Sequence, residues 1–387
     1  MAFANRLLQL GEDSVLVLEK EQEAGGLCRS EVVDGTELDI GGGHFLDTRR
    51  PAVNEFLFGF MPENEWNVFD RNSKIDLDGK LIDHPIEANI YQLDVEKQVE
   101  YLKSIAAAGC NVGKEMPENF VDWIYWKLGE KIADDYMLPY NRKMFAEDLN
   151  SLGTYWLEKL PNVSFDDTLR SCLEKRPYGQ EPGHSTFYYP KQYGYGELWR
   201  RMAARLGNKI EYGVDVKSLD FENKIVNGQY QAEKIVVTIP WTEIKEYTAM
   251  PDSIRENVSD LVYSSVCIQY EQDNLASDAQ WIYCPDPETS YHRILNRRVF
   301  CTNSKGYWTE TNLCRWNGDT TSWHYINQYA YPLNTIHKPK AIRKILDWGA
   351  AHQVYGLGRW GEWEHFNSDV VVERALRLAQ EVYRNEK

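Results

Sequence analysis

Met1-Ala-Phe-Ala-Asn-Arg-Leu-Leu-Gln-Leu10-Gly11, followed by Ser14-Val-Leu-Val-Leu18 and Glu19, is the stretch that decides the fold. Its first part spaces apolar residues as a helix does and stops at a glycine. Its second part is a short apolar run with an acid at the end. Helix, strand and acid in that order read as the second half of a dinucleotide-binding βαβ unit. Such a unit opens with an apolar strand and a G-x-G-x-x-G turn, which sets the cofactor pyrophosphate on the helix N-terminus. An acid roughly 20 residues further on takes the ribose hydroxyls. That glycine turn is expected immediately upstream of Met1, so the natural start is expected to be earlier. A sheet lacking its central strand would leave two neighbours unpaired, a large loss against a total stability of about 5–15 kcal/mol.

Working outward, Glu19 leads into Lys20-Glu-Gln-Glu-Ala-Gly25-Gly26-Leu-Cys-Arg29-Ser30. Further on come Asp39-Ile-Gly41-Gly42-Gly43-His44-Phe45, then Tyr189-Pro-Lys191-Gln-Tyr-Gly194-Tyr-Gly196-Glu-Leu-Trp199. Near the end stands Gly358-Arg359-Trp-Gly361 through Asn367-Ser368-Asp369. In this order the four segments resemble the flavoprotein superfamily of amine oxidases, protoporphyrinogen oxidases, phytoene desaturases and UDP-galactopyranose mutase. The resemblance implies FAD as cofactor. It also implies that the 39–45 segment passes beside the flavin ring, that 189–199 is the superfamily's turn into a helix, and that 358–369 is its last flavin-contacting turn.

The implied architecture is α/β, a discontinuous Rossmann-like FAD-binding domain truncated at its N-terminus, with a helical insertion and an antiparallel-sheet substrate domain. Residues 1–75, 187–250 and 345–387 are assigned to the FAD-binding domain, 76–186 to the mostly helical insertion and 251–344 to the substrate sheet. The residues support this division directly. Val68 to Ile82 alternates around Asp78-Gly79, a hairpin signal. Tyr125-Trp126, Ile132 and Tyr136 recur at helical spacing, and Pro139 and Pro161 punctuate. Lys209–Val216 and Lys234–Pro240 read as buried strands, and Tyr263–Tyr270 alternates as a sheet strand does. From Val354 the chain reads as a strand, the Gly-Arg-Trp-Gly turn and a final helix from Val370 to Tyr383.

Candidate site residues follow from chemistry at these places. Glu19 ends an apolar strand where a ribose offers two hydroxyls. Gly25, Gly26 and Gly41 to Gly43 lack the Cβ that keeps backbone from a flat cofactor, although turn formation alone also selects glycine. Arg29 can present a guanidinium fork to the pyrophosphate or can be a surface arginine. His44 stands where the mutase-like members place a histidine near the flavin, able to hydrogen-bond the ring. Gly358, Arg359, Asn367, Ser368 and Asp369 precede a helix whose free N–H groups suit an anion. Val214 and Val216 are candidates for backbone contacts to adenine. In the mutases two arginines flank the sugar diphosphate. Tyr291-His292-Arg293-Ile294 resembles the segment bearing one of them, so Arg293 is a candidate anion clamp. No arginine occurs at 161–167, where the other is expected, His365 stands in place of a mutase tyrosine, and Lys143-Met144-Phe145 replaces a segment contributing a tryptophan. His44, Arg293 and His365 are thus the catalytic candidates.

With 43 basic and 59 acidic residues the net charge is −16, which argues against general nucleic-acid binding. No run of about 18 apolar residues offers a membrane span, and no leader for secretion is seen. The seven cysteines, at 28, 110, 172, 267, 284, 301 and 314, include no C-x-x-C pair, and the eight histidines show no metal-ligand spacing. A reduced, cytoplasmic setting and no metal are therefore expected, and the oligomeric state is left open. Three functions are compatible with these residues. The first is an FAD-dependent oxidoreductase whose flavin accepts a hydride from a small-molecule substrate. The second is a mutase-like enzyme that uses reduced flavin on a nucleotide sugar. The third is a flavin-free remnant acting as a binding protein.

Overall fold

Two parallel strand pairs lie in the part of the chain expected to bind the nucleotide. In a computed structural model, which describes residues 1–145, 148–157, 163–179, 185–301 and 304–384, Val17–Glu19 runs parallel to Ile210–Tyr212. Ile235–Val237 runs parallel to Val354–Gly356. These four strands come from both ends and the middle of the chain, between Val17 and Gly356, so they pair only when distant pieces meet. The opening helix is Ala2–Leu10. Gly11 ends it at φ 93°, its N–H bonding the carbonyls of Leu7 and Leu8. That helix packs on Gly196–Leu206 and on the terminal helix Ser368–Arg384.

The predicted hairpin is present as Ser73–Leu77 and Lys80–Asp83, turning through Asp78 and Gly79 at φ 55° and 82°. Positive φ at both positions is what a two-residue hairpin turn needs. Its place in the fold differs from the expectation. Ser73–Leu77 adds parallel to Trp281–Tyr283 and so joins the hairpin to the sheet of 251–344, making seven strands. The boundary drawn at 75/76 therefore falls inside a strand, and the one at 344/345 falls inside the helix Lys338–Ala351. Local periodicity shows a hairpin but not the sheet it joins.

The sheet's longest strands, Tyr263–Glu271 and His324–Pro332, lie beside Tyr307–Asn312 and Arg293–Leu295. The helical insertion includes Val95–Ala106, Phe120–Ile132, Leu138–Phe145 and Phe165–Glu174. Ile75, Leu77 and Ile82 of the hairpin share one core with Ile124, Leu128 and Ile132 of these helices, which fixes the insertion against the sheet. Pro161, expected as a helix stop, lies outside the described residues. Among the described residues no helix is long and apolar enough to cross a membrane.

Candidate functional site

A cavity of about 210 Å³ opens where the 41–45 loop, the sheet and the 358–368 segment converge. Its walls include His44, Arg293, Arg359, His365, Asn367 and Ser368, all singled out from sequence. Phe45, Arg71, Met144, Trp281 and Tyr331 join them. Of the 143–145 segment it is Met144 that reaches the cavity. Lys143 turns away, and its Nζ donates to the carbonyls of Cys284 and Asp286 at 2.8 and 2.7 Å.

The triple glycine is required by packing. A Cβ on Gly41 would stand 2.0 Å from the Leu27 carbonyl oxygen, and one on Gly43 would stand 2.3 Å from Leu295 Cδ2. On Gly42, which has φ +87°, it would stand 2.2 Å from Glu310 Oε1. The missing side chains of Gly42 and Gly43 let the loop settle on the sheet, and Gly41 and Gly43 also line the cavity. Gly26 (φ 53°) does face open space, while a Cβ on Gly25 (φ 122°) would crowd Arg29 and Trp199 at 3.1 and 3.3 Å.

Behind the loop Asp39 ties three segments together. Its carboxylate accepts from Ser30 Oγ (2.5 Å), Tyr189 OH (3.0 Å) and the Tyr195 N–H (3.1 Å). Burial pushes its carboxyl up to about 6 against the pull of these donors. The 189–199 turn is thereby clamped to the glycine loop, a link that spacing alone does not reveal.

Arg359 is half-buried and donates to the carbonyls of Ala330 (3.0 Å) and Phe366 (3.2 and 3.0 Å). Among the described residues no carboxylate pairs with it, and burial pulls its pKa down. Arg293 is different. Its Nε and Nη2 bind Glu310 Oε2 at 2.8 and 2.5 Å, and Nη2 reaches Tyr331 OH at 3.1 Å. Burial opposes ionisation of Glu310, yet Arg293 and the nearby His292 hold its carboxyl below the usual range. The anion clamp expected at Arg293 is therefore already engaged by a buried carboxylate. Arg71, missed in the sequence, stands just before the strand Ser73–Leu77. Its Nε donates to Ser73 Oγ and its Nη2 to Tyr283 OH, both at 2.8 Å.

Burial pushes His44 down to about 4, so the ring is neutral at neutral pH. Its Nδ1 lies 3.1 Å from the Gly42 carbonyl oxygen. A carbonyl can only accept, so Nδ1 carries the proton and Nε2 is left as an acceptor. His365 packs on Tyr331, with ring centroids 5.0 Å apart. Ser368 Oγ is 2.6 Å from Tyr195 OH at the start of the terminal helix. Asp369, expected with them as part of an anion-holding cap, instead pairs with Arg50 Nε at 2.6 Å and does not line the cavity.

The nucleotide-binding candidates lie apart from the cavity walls. Glu19 ends its strand, and Oε1 accepts from the Glu21 N–H at 3.0 Å. Burial raises its pKa. Arg29 is not a surface residue. Its side chain is 11% exposed, Nη2 donates to Tyr325 OH at 2.6 Å, and the buried Nε has no hydrogen-bond partner. Val214 N–H donates to the Glu19 carbonyl at 3.0 Å, and the Val216 side chain packs into the core formed around Trp241 and Val354.

Comparison with known proteins agrees with this picture. Residues 1–100 match the family described as flavin-containing amine oxidoreductases. The fold is similar to that of reduced UDP-galactopyranose mutase, with a TM-score of 0.89 at 21% identity, over 99% of this chain and 91% of that one. It is also similar to cyclohexylamine oxidase from Brevibacterium oxydans IH-35A (TM-score 0.66, 12% identity, 100% of this chain and 97% of that one). A CLA-producing fatty acid isomerase from P. acnes gives a TM-score of 0.65 at 14% identity, over 98% and 95%. One fold here carries a mutase, an oxidase and an isomerase, so the reaction must be argued from the site.

Proposed function

We propose that the chain is a member of the flavin-containing amine oxidoreductase superfamily, on the branch with the UDP-galactopyranose mutase fold, and that it is an FAD-dependent oxidoreductase acting on a small molecule. The observation that carries this reading is Arg359, a half-buried guanidinium whose hydrogen bonds among the described residues go to carbonyls, set beside the glycine loop and the start of the terminal helix. A half-buried cation facing a cavity with no carboxylate beside it among the described residues suits an anionic or strongly polar ligand. The residues present fit FAD on this and two further counts: the open space at Gly26 and the unanswered Nε of Arg29.

Glu19, Arg29, Arg359 and Ser368 are the residues that would hold the cofactor. FAD, when bound, supplies hydride acceptance. The chain's own groups orient the substrate and exclude water. Phe45, Met144, Trp281 and Tyr331 give the cavity an apolar wall, and His44 Nε2 offers one neutral acceptor that stays unprotonated at neutral pH. Visible absorbance of the purified protein, followed by anaerobic addition of candidate substrates, tests the reading. Bleaching of bound flavin by substrate alone supports it.

A second reading, redox-neutral chemistry on a nucleotide sugar, is favoured by the TM-score of 0.89 to the mutase. Activity only after chemical pre-reduction of the flavin would select it. Failure to retain any flavin would leave a binding protein.

A further inference from the structure

Tyr195 is fully buried, yet it backs the cavity wall at two points. Its hydroxyl oxygen lies 2.6 Å from Ser368 Oγ. Its ring stacks with that of His44, the centroids 6.1 Å apart and the planes 18° from parallel. Ser368 and His44 both line the cavity. We propose that Tyr195 is a positioning residue, which turns the Ser368 hydroxyl proton into the cavity, toward an acceptor atom of the bound cofactor. This rests on the reading of the chain as an FAD protein.

Three observations support it. First, the direction of the hydrogen bond follows from what each hydroxyl can reach. Burial keeps the phenol protonated well above neutral pH, and among the described residues Ser368 Oγ is the acceptor that this hydroxyl meets. A buried O–H without an acceptor is costly, so Tyr195 donates and Ser368 accepts. The serine's own proton is then left for the cavity side. Second, the tyrosine is held on every side. Its N–H donates to Asp39 Oδ1 at 3.1 Å, and the N–H of Gly196 donates to Ser30 Oγ at 2.8 Å. Its ring meets Trp66 and Trp199 edge-on, with centroids 6.4 and 6.2 Å away. Third, Ser368 is the first residue of the terminal helix Ser368–Arg384. The helix sets its backbone, and the side-chain rotor is left for Tyr195 to fix.

The cavity thereby holds one directed donor at Ser368 and one neutral acceptor at His44 Nε2, with a single buried ring behind both. These two groups select by hydrogen-bond direction, where the arginines of the same wall select by charge.

The test measures FAD binding to the purified full chain by calorimetry. The visible band of bound flavin is recorded for each sample, and urea denaturation checks folding. Tyr195→Phe is expected to weaken FAD binding about three- to tenfold, the loss of one hydrogen bond, and to shift the band. In Ser368→Ala there is no hydroxyl to orient, so adding Tyr195→Phe is expected to change affinity by less than about twofold. Ser368→Thr keeps a hydroxyl and should restore the dependence on Tyr195. Equal losses from Tyr195→Phe in the serine and alanine backgrounds are what packing alone would give, and they overturn the inference. Unchanged affinity in Tyr195→Phe overturns it too. Ser368→Ala by itself keeps the test decisive if the tyrosine variant does not fold, since unchanged affinity there also overturns the inference. A parent protein that binds no FAD refutes the proposed function, and this inference with it. A parent that binds FAD without these differences refutes the inference alone.

Discussion

Gly42→Ala separates the two roles a glycine can have in this loop. The residue sits at φ +87°, and a Cβ there would stand 2.2 Å from Glu310 Oε1. Left-handed backbone costs an alanine about 1–2 kcal/mol. The carboxylate must then move by about 1 Å to reach ordinary contact, which disturbs its 2.8 and 2.5 Å bonds to Arg293, and charge-assisted bonds contribute about 1.5–3 kcal/mol each. A total loss of about 3–5 kcal/mol is expected, close to that for breaking a buried ion pair. Gly35→Ala is the matched control. Gly35 has φ +78° but open space around its Cβ, so it should lose only the backbone part, about 1–2 kcal/mol. Urea denaturation of both variants and the parent, followed by tryptophan fluorescence, gives the comparison. Equal losses in the two variants would refute the argument that Gly42 is required by Glu310.

Arg359→Ala should leave the protein folded but weaken flavin retention about tenfold to a hundredfold, read as the flavin-to-protein ratio after dialysis. An unchanged ratio removes Arg359 from the cofactor site. Asp39 gives a pH test. Its carboxyl titrates near about 6 in the fold instead of the ordinary 3.8, so the folded protein keeps a proton that the unfolded chain has already lost. That contribution is complete below about pH 3.8 and disappears as the pH rises through about 6. Relative to Asp39→Asn, the parent should lose about 3 kcal/mol between those limits. Parallel stability profiles for the two proteins would show that Asp39 ionises normally.

What the sequence determined by itself was local and chemical. Gly11 and the Asp78-Gly79 turn were legible because positive φ restricts a position to few residues, and the opening helix and strand were legible from their period. Two of the four glycine-bearing segments also marked the cavity, through His44, Arg359, His365, Asn367 and Ser368, and the 291–294 segment marked it through Arg293. The tertiary structure decided which charges meet. Alternation predicts a sheet around Arg293 and Tyr307–Asn312 but not its register. In the fold Arg293 stands opposite Glu310, and a one-residue slip would turn that carboxylate to the other face. Arg71 joined the site only because Ser73–Leu77 adds to Trp281–Tyr283, a strand that begins more than 200 residues later. Likewise, the loop glycines met Glu310 and Leu295 only when the sheet closed beneath them. Such pairings depend on strand register and long-range packing, which no short window of sequence contains.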